Sequence, residues 1–225
     1  MVDLRPMNPR FLAILPILSC CALLAQAPST SAPASTSETH TNDLGFSYAL
    51  PSDWQVVDAQ PTLPLIKQQQ SQSAATDEEK KGIECVQIAL TARHGTPASV
   101  IVAVELPFGC FGQQMSEKDL PGFAQGASEG IKKTFVISEP VYGAYMLGTH
   151  NIWIERAKGV VIGHPEAEYT IEIACGLIHK GAVCWMAMAK DDAALKTFEQ
   201  GKVSLDGETP AALVPPTAFD KKPAS

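Results

Sequence analysis

The sequence has little positive charge and none of the short motifs that mark phosphate, dinucleotide or zinc-protease sites. Lys and Arg number 17 against 24 Asp and Glu, which gives a formal net charge of −7. An acidic surface repels nucleic acid and anionic lipid. A phosphate-binding loop, a His-Glu-x-x-His pair and a dinucleotide fingerprint are all missing. We therefore expect no nucleic-acid partner and no cofactor, and an enzyme is the least favoured class of function.

The sequence also lacks an apolar run long enough for a membrane-spanning helix, which needs about 20 residues. The run from Phe11 to Ala25 is shorter and contains Pro16, and the triplet that ends at Ala27 has the small residues of a cleavage site. Residues 1–27 are therefore predicted to be a secretory signal. A second site stays open before Cys20, where Ile-Leu-Ser-Cys resembles the motif at which bacterial lipoproteins are cut and lipidated. Either cut predicts an extracytoplasmic protein, in the periplasm, anchored to the outer membrane or secreted.

Composition divides the rest of the chain into three parts. Residues 28–42 are rich in Ser, Thr, Pro and Ala and are predicted to be a disordered linker. Residues 43–206 have regular apolar patterning and a length that suits one domain. Residues 207–225 contain four prolines and are predicted to be a flexible tail, although a few apolar residues in it could dock.

Four cysteines fall inside the predicted domain, and an even number outside the cytoplasm suggests disulfides. Cys175 and Cys184 lie in two apolar strands joined by a short turn, which indicates a hairpin with both sulfurs on one face. They are directly opposite or diagonal, depending on where the turn is centred. Cys85 and Cys110 are the remaining pair, but a hairpin turning at residues 94–97 would leave Cys110 beyond the strand end. Buried reduced cysteines are the alternative for both pairs.

Apolar spacing predicts the order of the elements. In GFSYALPSDW, Phe46, Tyr48 and Leu50 alternate onto one strand face, Pro51 ends that strand and Trp54 begins the next. Further spacing predicts strands from Ile83 to Ala92 and from Ser99 to Leu106, a helix that begins near Asp119, several more strands, and a closing helix that begins near Asp191. A sheet with helices packed on it is an α+β fold.

Taken together, GFSYALPSDW, the strand VIVAVELP, the long middle helix and CWMAMAKDDAALKTFEQGKVSL resemble the PsbP-like family. That family includes the extrinsic proteins of the photosystem II oxygen-evolving complex and many small bacterial secreted proteins and lipoproteins. The resemblance implies an α/β/α sandwich with a central antiparallel sheet, and a binding or assembly role without catalysis. The paired cysteines and the glutamine-rich segment at residues 68–81 depart from the usual pattern, so no partner is carried over.

Metal binding has two weak candidate sets. His164, Glu166 and Glu168 would share a strand face, and His150 lies near Glu155 in sequence. Pro165 favours a loop over a strand, and charged side chains beside a turn are usually solvated. We therefore predict no metal site.

A glycine-flanked loop supplies a candidate for partner contact. Phe108 and Phe111 follow the central strand and could form an exposed apolar patch. The alternative is that both rings fold over the edge of the core.

Three functions remain for the predicted domain. The favoured one is a non-catalytic binding or assembly module that contacts another envelope protein, with membrane contact only through a lipid anchor on Cys20. A carrier of small molecules in a cleft between sheet and helix is the first alternative. A hydrolase with an unrecognised site is the second, and convergence of His150, His164 and Glu155 in a pocket would favour it.

Overall fold

The computed structural model describes residues 39–51, 53–58, 63–73, 76–110 and 115–220. The predicted signal with Cys20, most of the predicted linker, and Phe111 lie outside the described residues.

The described residues form four α-helices and twelve strands. The helices are α1 Leu63–Ser73, α2 Asp77–Cys85, α3 Leu120–Ile131 and α4 Asp192–Glu199. The strands are β1 Thr39–Thr41, β2 Phe46–Ala49, β3 Gln55–Val56, β4 Gln87–His94, β5 Ser99–Pro107, β6 Phe135–Ile137, β7 Val141–Leu147, β8 His150–Val161, β9 His164–Ile178, β10 Gly181–Ala189, β11 Lys202–Leu205 and β12 Ala211–Ala212.

Two sheets are present, and all their strand pairs are antiparallel. The large sheet has the order β3-β4-β5-β10-β9-β8-β6, and β7 pairs with β8 on the same side as β6. The small sheet has the order β1-β2-β11-β12. Strand β5 lies inside the large sheet between β4 and β10, as its apolar residues on both faces predict. The predicted α+β class is confirmed.

Alternation along the central strands divides the core into two layers. Val100, Val102 and Val104 of β5 face a core closed by α3, where Phe123 is buried. Ile101 and its alternates face the opposite core, which is closed by α4 and the small sheet and is centred on Trp185. Helices therefore cover both faces of the large sheet, and the predicted sandwich with a central antiparallel sheet is confirmed.

The cysteine hairpin has the register in which the turn is centred between His179 and Lys180. Cys175 lies directly opposite Cys184, and the two form a disulfide with a Cα–Cα distance of 4.2 Å. Both cysteines are buried in the α3-side core. The covalent link therefore joins two adjacent central strands beneath a helix.

A second disulfide joins Cys85 to Cys110 with a Cα–Cα distance of 5.8 Å. The predicted strand from Ile83 is wrong for its first four residues, because α2 continues to Cys85 and β4 begins at Gln87. Cys85 therefore ends a helix instead of facing Leu106 across a hairpin. Cys110 ends a short 3-10 turn after β5, and this turn brings its sulfur within bonding distance.

The corner in GFSYALPSDW is built as its pattern predicts. Phe46, Tyr48, Leu50 and Trp54 are all buried in the α4-side core. The Trp54 backbone N–H donates to the Pro51 carbonyl at 3.1 Å, which closes the turn between the two strands. The proline thus ends one strand and accepts the bond that starts the next.

The predicted domain, residues 43–206, is too short at both ends. Strand β1 lies within the predicted linker and pairs with β2. Residues 207–220, which we name the C-terminal segment, pack against the domain, so the prediction of a flexible tail is wrong as far as residue 220. Leu213, Val214 and Ala218 are buried, and the Leu213 N–H donates to the Gly201 carbonyl at 2.8 Å. Prolines restrict regular structure, but they do not prevent neighbouring apolar residues from being buried.

Within the described ranges, no helix has the length and apolar character needed to cross a membrane.

Candidate functional site

Strand β7 forms most of one border of the large sheet. All seven of its residues pair with β8 without interruption, from Val141 opposite Arg156 to Leu147 opposite His150. Strand β6 continues the same border and pairs with the far end of β8. In the described part of the chain, no strand pairs with the outer side of β7. The N–H and C=O groups on that side can therefore accept another strand.

Strand β7 itself has none of the features that usually prevent unwanted pairing. Natural edge strands carry charged residues, proline or a bulge, or are very short. Strand β7 has the sequence VYGAYML, with no charge, no proline and no register shift. At seven residues it is longer than the β1, β3 and β12 edge strands.

Exposed apolar side chains concentrate at this border. Six large apolar residues are exposed among the described residues, and five of them lie on β6, on β7 or in the turn after β8. The five are Val136 at 65%, Val141 at 59%, Met146 at 54%, Ile162 at 54% and Tyr142 at 44% exposure. Exposed apolar side chains concentrated at one sheet border can form an interaction surface.

The α3 side of β7 is open and has an aromatic floor. Tyr142, Ala144 and Met146 alternate onto this side, and Ala144 lies directly opposite Trp153 of β8. The Tyr142 and Trp153 rings are in contact, with centroids 5.9 Å apart. The small Ala144 side chain therefore sits between two large exposed ones, with a half-buried indole next to it.

The C-terminal segment covers the other side of β7 at Gly143 and Tyr145, whereas Val141 on that side is exposed. The Tyr145 hydroxyl donates a hydrogen bond to the Leu213 carbonyl. A Cβ added to Gly143 would lie 2.2 Å from the Ala218 carbonyl oxygen, so glycine is required for this close approach. A ligand on the β7 border would therefore contact the backbone edge and the α3 side.

Acidic side chains stand at both ends of β7. Glu139 is exposed two residues before the strand. At the other end, Glu208 accepts hydrogen bonds from the Thr149 backbone N–H, at 3.1 Å, and from the Thr149 hydroxyl. These hydrogen bonds lower the pKa of Glu208, so this carboxylate is ionised at neutral pH. The uncharged strand thus lies between two negative charges.

A partly buried charged cluster joins the C-terminal segment and α4 to the sheet. Arg156 donates from Nε to Glu172 Oε2 at 2.6 Å and also contacts Glu199 on α4. Its guanidinium lies 4.3 Å from the Phe219 ring centroid. Burial raises the pKa of Glu172 to about 7, against the opposing effect of Arg156. Sequence spacing gave no sign of this cluster, because its members come from three separate elements.

Glu155 is the second buried acid whose pKa is strongly shifted. It lies on the α3 side of β8, directly opposite Tyr142, and burial raises its pKa to about 7 against a hydrogen bond with Ser128. Residues 126–130, GASEG, match the spacing Gly-x-Ser-x-Gly of hydrolase nucleophiles. They lie inside α3 and not at a turn between strand and helix, and Ser128 is buried. The nucleophile elbow that this motif requires is therefore not formed.

Of the predicted metal candidates, only His164 and Glu166 are in contact. His164 is exposed and lies 3.3 Å from Glu166. It pairs at the far end of β8 from His150, about 35 Å away at the usual rise per strand residue. Glu155 differs from His150 by an odd number of strand positions, so the two side chains are on opposite faces. Over the described ranges, no three His, Cys, Asp or Glu side chains are placed to hold a metal ion.

His150 instead lines a small open cleft. Its Nδ1 lies 2.8 Å from the Leu177 carbonyl, and its Nε2 lies 3.5 Å from Asp206 Oδ2. His179 Nδ1 is 2.9 Å from the same carboxylate. The cleft has a volume of about 270 Å³, below the range of typical ligand pockets. Asp206 therefore joins the turn after β9 to the end of β11, which is a structural role.

Phe108 takes the alternative position that the sequence left open. It is half-buried and packs against the α3-side core. Its backbone N–H donates to the Lys180 carbonyl at 2.9 Å, which fixes the turn after β5. With Phe111 outside the described residues, the predicted two-ring patch remains a prediction.

Comparison with known proteins gives similarity only at the level of solved structures. No protein-family model and no curated protein matches the sequence. LpqN of Mycobacterium tuberculosis, described as involved in cell envelope biogenesis, is 15% identical with a TM-score of 0.40, over 73% of this chain and 88% of its own. Cyanobacterial PsbP (CyanoP) from Synechocystis sp. PCC 6803 is 8% identical with a TM-score of 0.38, over 73% and 87%. One of these two structures is therefore a PsbP.

Proposed function

We propose that this protein is a non-catalytic, extracytoplasmic binding module that recognises a partner protein along the free border of β7. One observation carries the proposal. A seven-residue strand without charge, proline or bulge forms the edge of the large sheet, and five of the six exposed large apolar residues of the described chain surround it. Strand addition to such an edge satisfies backbone hydrogen bonds and removes apolar surface from water in one step.

Strand β7 is held rigidly by its neighbours, which favours the binding of a partner strand. Strand β7 is fixed by seven residue pairs to β8, which in turn pairs with β9 along most of its length. The C-terminal segment holds β7 from the α4 side through Tyr145. A partner strand would therefore meet an edge that is already ordered, and ordering the edge would cost little of the binding free energy.

Two disulfides support the extracytoplasmic part of the proposal. Disulfides persist in oxidising compartments and are rare in the cytoplasm. Both bonds join elements of the large-sheet core. With the predicted signal at residues 1–27, they favour an envelope location, and the partner would then be another envelope protein. A lipid on Cys20 would add a membrane anchor without changing the binding edge.

The placement of the ionisable groups supports a non-catalytic role. Glu155, Glu172 and His150 belong to three separate environments, and none of them shares a cleft with a positioned nucleophile. Raised carboxyl pKa values mark active sites only when the groups line a site where a reaction can occur. Here burial beneath α3 and α4 explains both shifts.

The test is site-specific photo-crosslinking in the organism's own envelope. A crosslinking amino acid replaces Met146 on β7, and in a matched protein it replaces Val56, an exposed apolar residue at the opposite edge of the large sheet. We expect a discrete crosslinked product from position 146 and none from position 56. Equal products from both positions, or none from position 146, would contradict binding at β7.

A charge variant separates binding from folding. Met146→Lys introduces the type of residue that protects natural edges, and Val56→Lys is its control. Both are surface changes, so each free energy of unfolding should stay within about 0.5 kcal/mol of the wild-type value. For this test the crosslinking amino acid replaces Tyr142. The crosslinked product should be lost in Met146→Lys and kept in Val56→Lys.

A further inference from the structure

The α3 side of the β7 border has the shape of a side-chain socket. Ala144 is flanked along the strand by Tyr142 and Met146, and all three point to this side. Trp153 lies directly across from Ala144 on β8, and its ring contacts that of Tyr142. In a strand added to β7, the residue opposite Ala144 would have the space that the small side chain leaves, with large apolar groups on either side.

The charges at the two ends of β7 favour basic residues at the ends of an added strand. Glu139, Glu129, Glu155 and Lys132 are close enough to act electrostatically on the Tyr142 hydroxyl. Lys132 is paired with Glu129, so these two charges offset each other and the exposed Glu139 adds a negative charge at this end. Glu208 provides the negative charge at the other end, beside Thr149. An incoming strand with basic residues at its two ends would meet an acid at each end.

The same charges disfavour a second copy of this chain. An antiparallel β7 pair about a two-fold axis at Ala144 would place Glu139 opposite Thr149 of the other copy, where Glu208 is held. Like charges at facing positions of a strand pair are destabilising. The edge is therefore better matched to a different chain than to itself.

We propose that the partner segment is an extended strand with one large apolar side chain that fills the space over Ala144, between Tyr142, Met146 and Trp153, and with Lys or Arg at both ends. This inference rests on the proposed function, because it specifies the occupant of the same edge. Main-chain pairing then provides the affinity, and the space over Ala144 provides the selectivity. The acids at both ends of β7 allow the partner strand to bind in either orientation.

A synthetic peptide tests the inference directly. The probe is a fluorescently labelled peptide with two lysines at each end and the core Thr-Val-Thr-Phe-Thr-Val-Thr, whose length matches β7. Its central phenylalanine faces Ala144 in either strand orientation. We expect saturable binding by fluorescence anisotropy that weakens with added salt. Replacing the phenylalanine by alanine should weaken binding at least tenfold, and replacing the lysines by glutamates should do the same.

A compensating variant identifies the socket. Ala144→Leu fills the space with a side chain of the protein itself, so it should lose at least tenfold in affinity for the phenylalanine peptide. The same variant should bind the alanine peptide at least as well as the wild type does. An equal loss for both peptides would show damage to the edge instead of a filled socket, and would overturn the inference. Thermal unfolding of Ala144→Leu checks that it folds.

The remaining outcomes separate the two proposals. Equal affinity for lysine and glutamate peptides, or a dimer in sedimentation that disappears in Met146→Lys, would overturn the inference about the occupant. If no peptide binds while the crosslink from position 146 persists, the inference fails and the proposed function stands. If the crosslink is also missing, both fail.

Discussion

The two borders of the large sheet are built differently. At one border, β3 has only two residues and pairs with part of β4, and β4 itself has a register shift between Ile88 and Leu90. At the other, β7 has seven regularly paired, uncharged residues. Short strands and bulges are common protection against unwanted pairing. Because one border has such protection, the open state of the other is a local property of β7 and not a general feature of the fold.

The difference also concerns how each border is held. The β4–β5 end is secured covalently, since Cys85 ends the helix that leads into β4 and is bonded to the turn after β5. The β7 border is secured without covalent bonds, by the C-terminal segment on its α4 side. One border is thus protected by a short strand and a register shift and is covalently tied, whereas the other is open and held by packing.

Removing the Cys85–Cys110 disulfide should have the largest effect on stability. On a chain-entropy estimate, losing the 25-residue Cys85–Cys110 link costs about 3.5 kcal/mol, and losing the 9-residue Cys175–Cys184 link about 2.6 kcal/mol. We expect the paired Cys→Ala variants to follow this order in urea unfolding at pH 7. The reverse order would mean that packing around the central hairpin outweighs loop length.

Adjacent residues of β7 should differ because they face different sides. Gly143→Val would force its Cβ against the Ala218 carbonyl, and we expect a loss of about 3 kcal/mol in the free energy of unfolding. Ala144→Leu adds the same number of carbon atoms on the open side and should cost less than about 1 kcal/mol. Urea unfolding of both variants measures the difference. Similar losses would show that the C-terminal segment does not cover the α4 side at Gly143.

The smallest effect concerns pH, through Glu155 behind the open border. Its folded pKa of about 7 lies above the ordinary value of 4.5, so the folded state binds more protons between these values. Stability should therefore fall as pH rises from 4.5 to 7. Glu155→Gln should remove about 1–3 kcal/mol of this loss, and Glu172 contributes a further fall of the same sign.

Unfolding curves at pH 5 and pH 8 measure the effect. The wild type should be less stable at pH 8, and Glu155→Gln should be more stable than the wild type there while differing little at pH 5. A variant that is less stable than the wild type at both values would show that the carboxyl is held mainly by favourable hydrogen bonds.

Local patterns predicted the parts of the fold that alternate. Burial of Phe46 and Trp54, the central place of β5 and the shared face of Cys175 and Cys184 follow from period-two spacing and a short turn, whereas the register of the two cysteines was left open. The polar residues 68–81 suit an exposed loop or a short surface helix, and the continuation of the helix to Cys85 was missed because the buried Ile83 also suits a strand. The C-terminal segment was missed because its prolines suggest an irregular chain, and composition does not show which surface an irregular chain covers.

The candidate site was predicted only in part. Val141–Leu147 was recognised as a strand, but a strand does not reveal whether it lies at an edge, since that depends on pairing between distant segments. The charges at its ends come from residues 139 and 208, which are far apart in sequence. Edge position is a property of topology, and topology is what single-sequence patterns specify least.

The hydrogen bond from Tyr145 to Leu213 has a practical consequence. A shortened protein that stops at residue 206, where composition suggests that the domain ends, would uncover Gly143 and Tyr145. Both sides of β7 would then be exposed to solvent, and the recombinant protein would be expected to aggregate. The last fourteen described residues therefore cover one side of β7 and limit the contacts that this strand can make with other proteins.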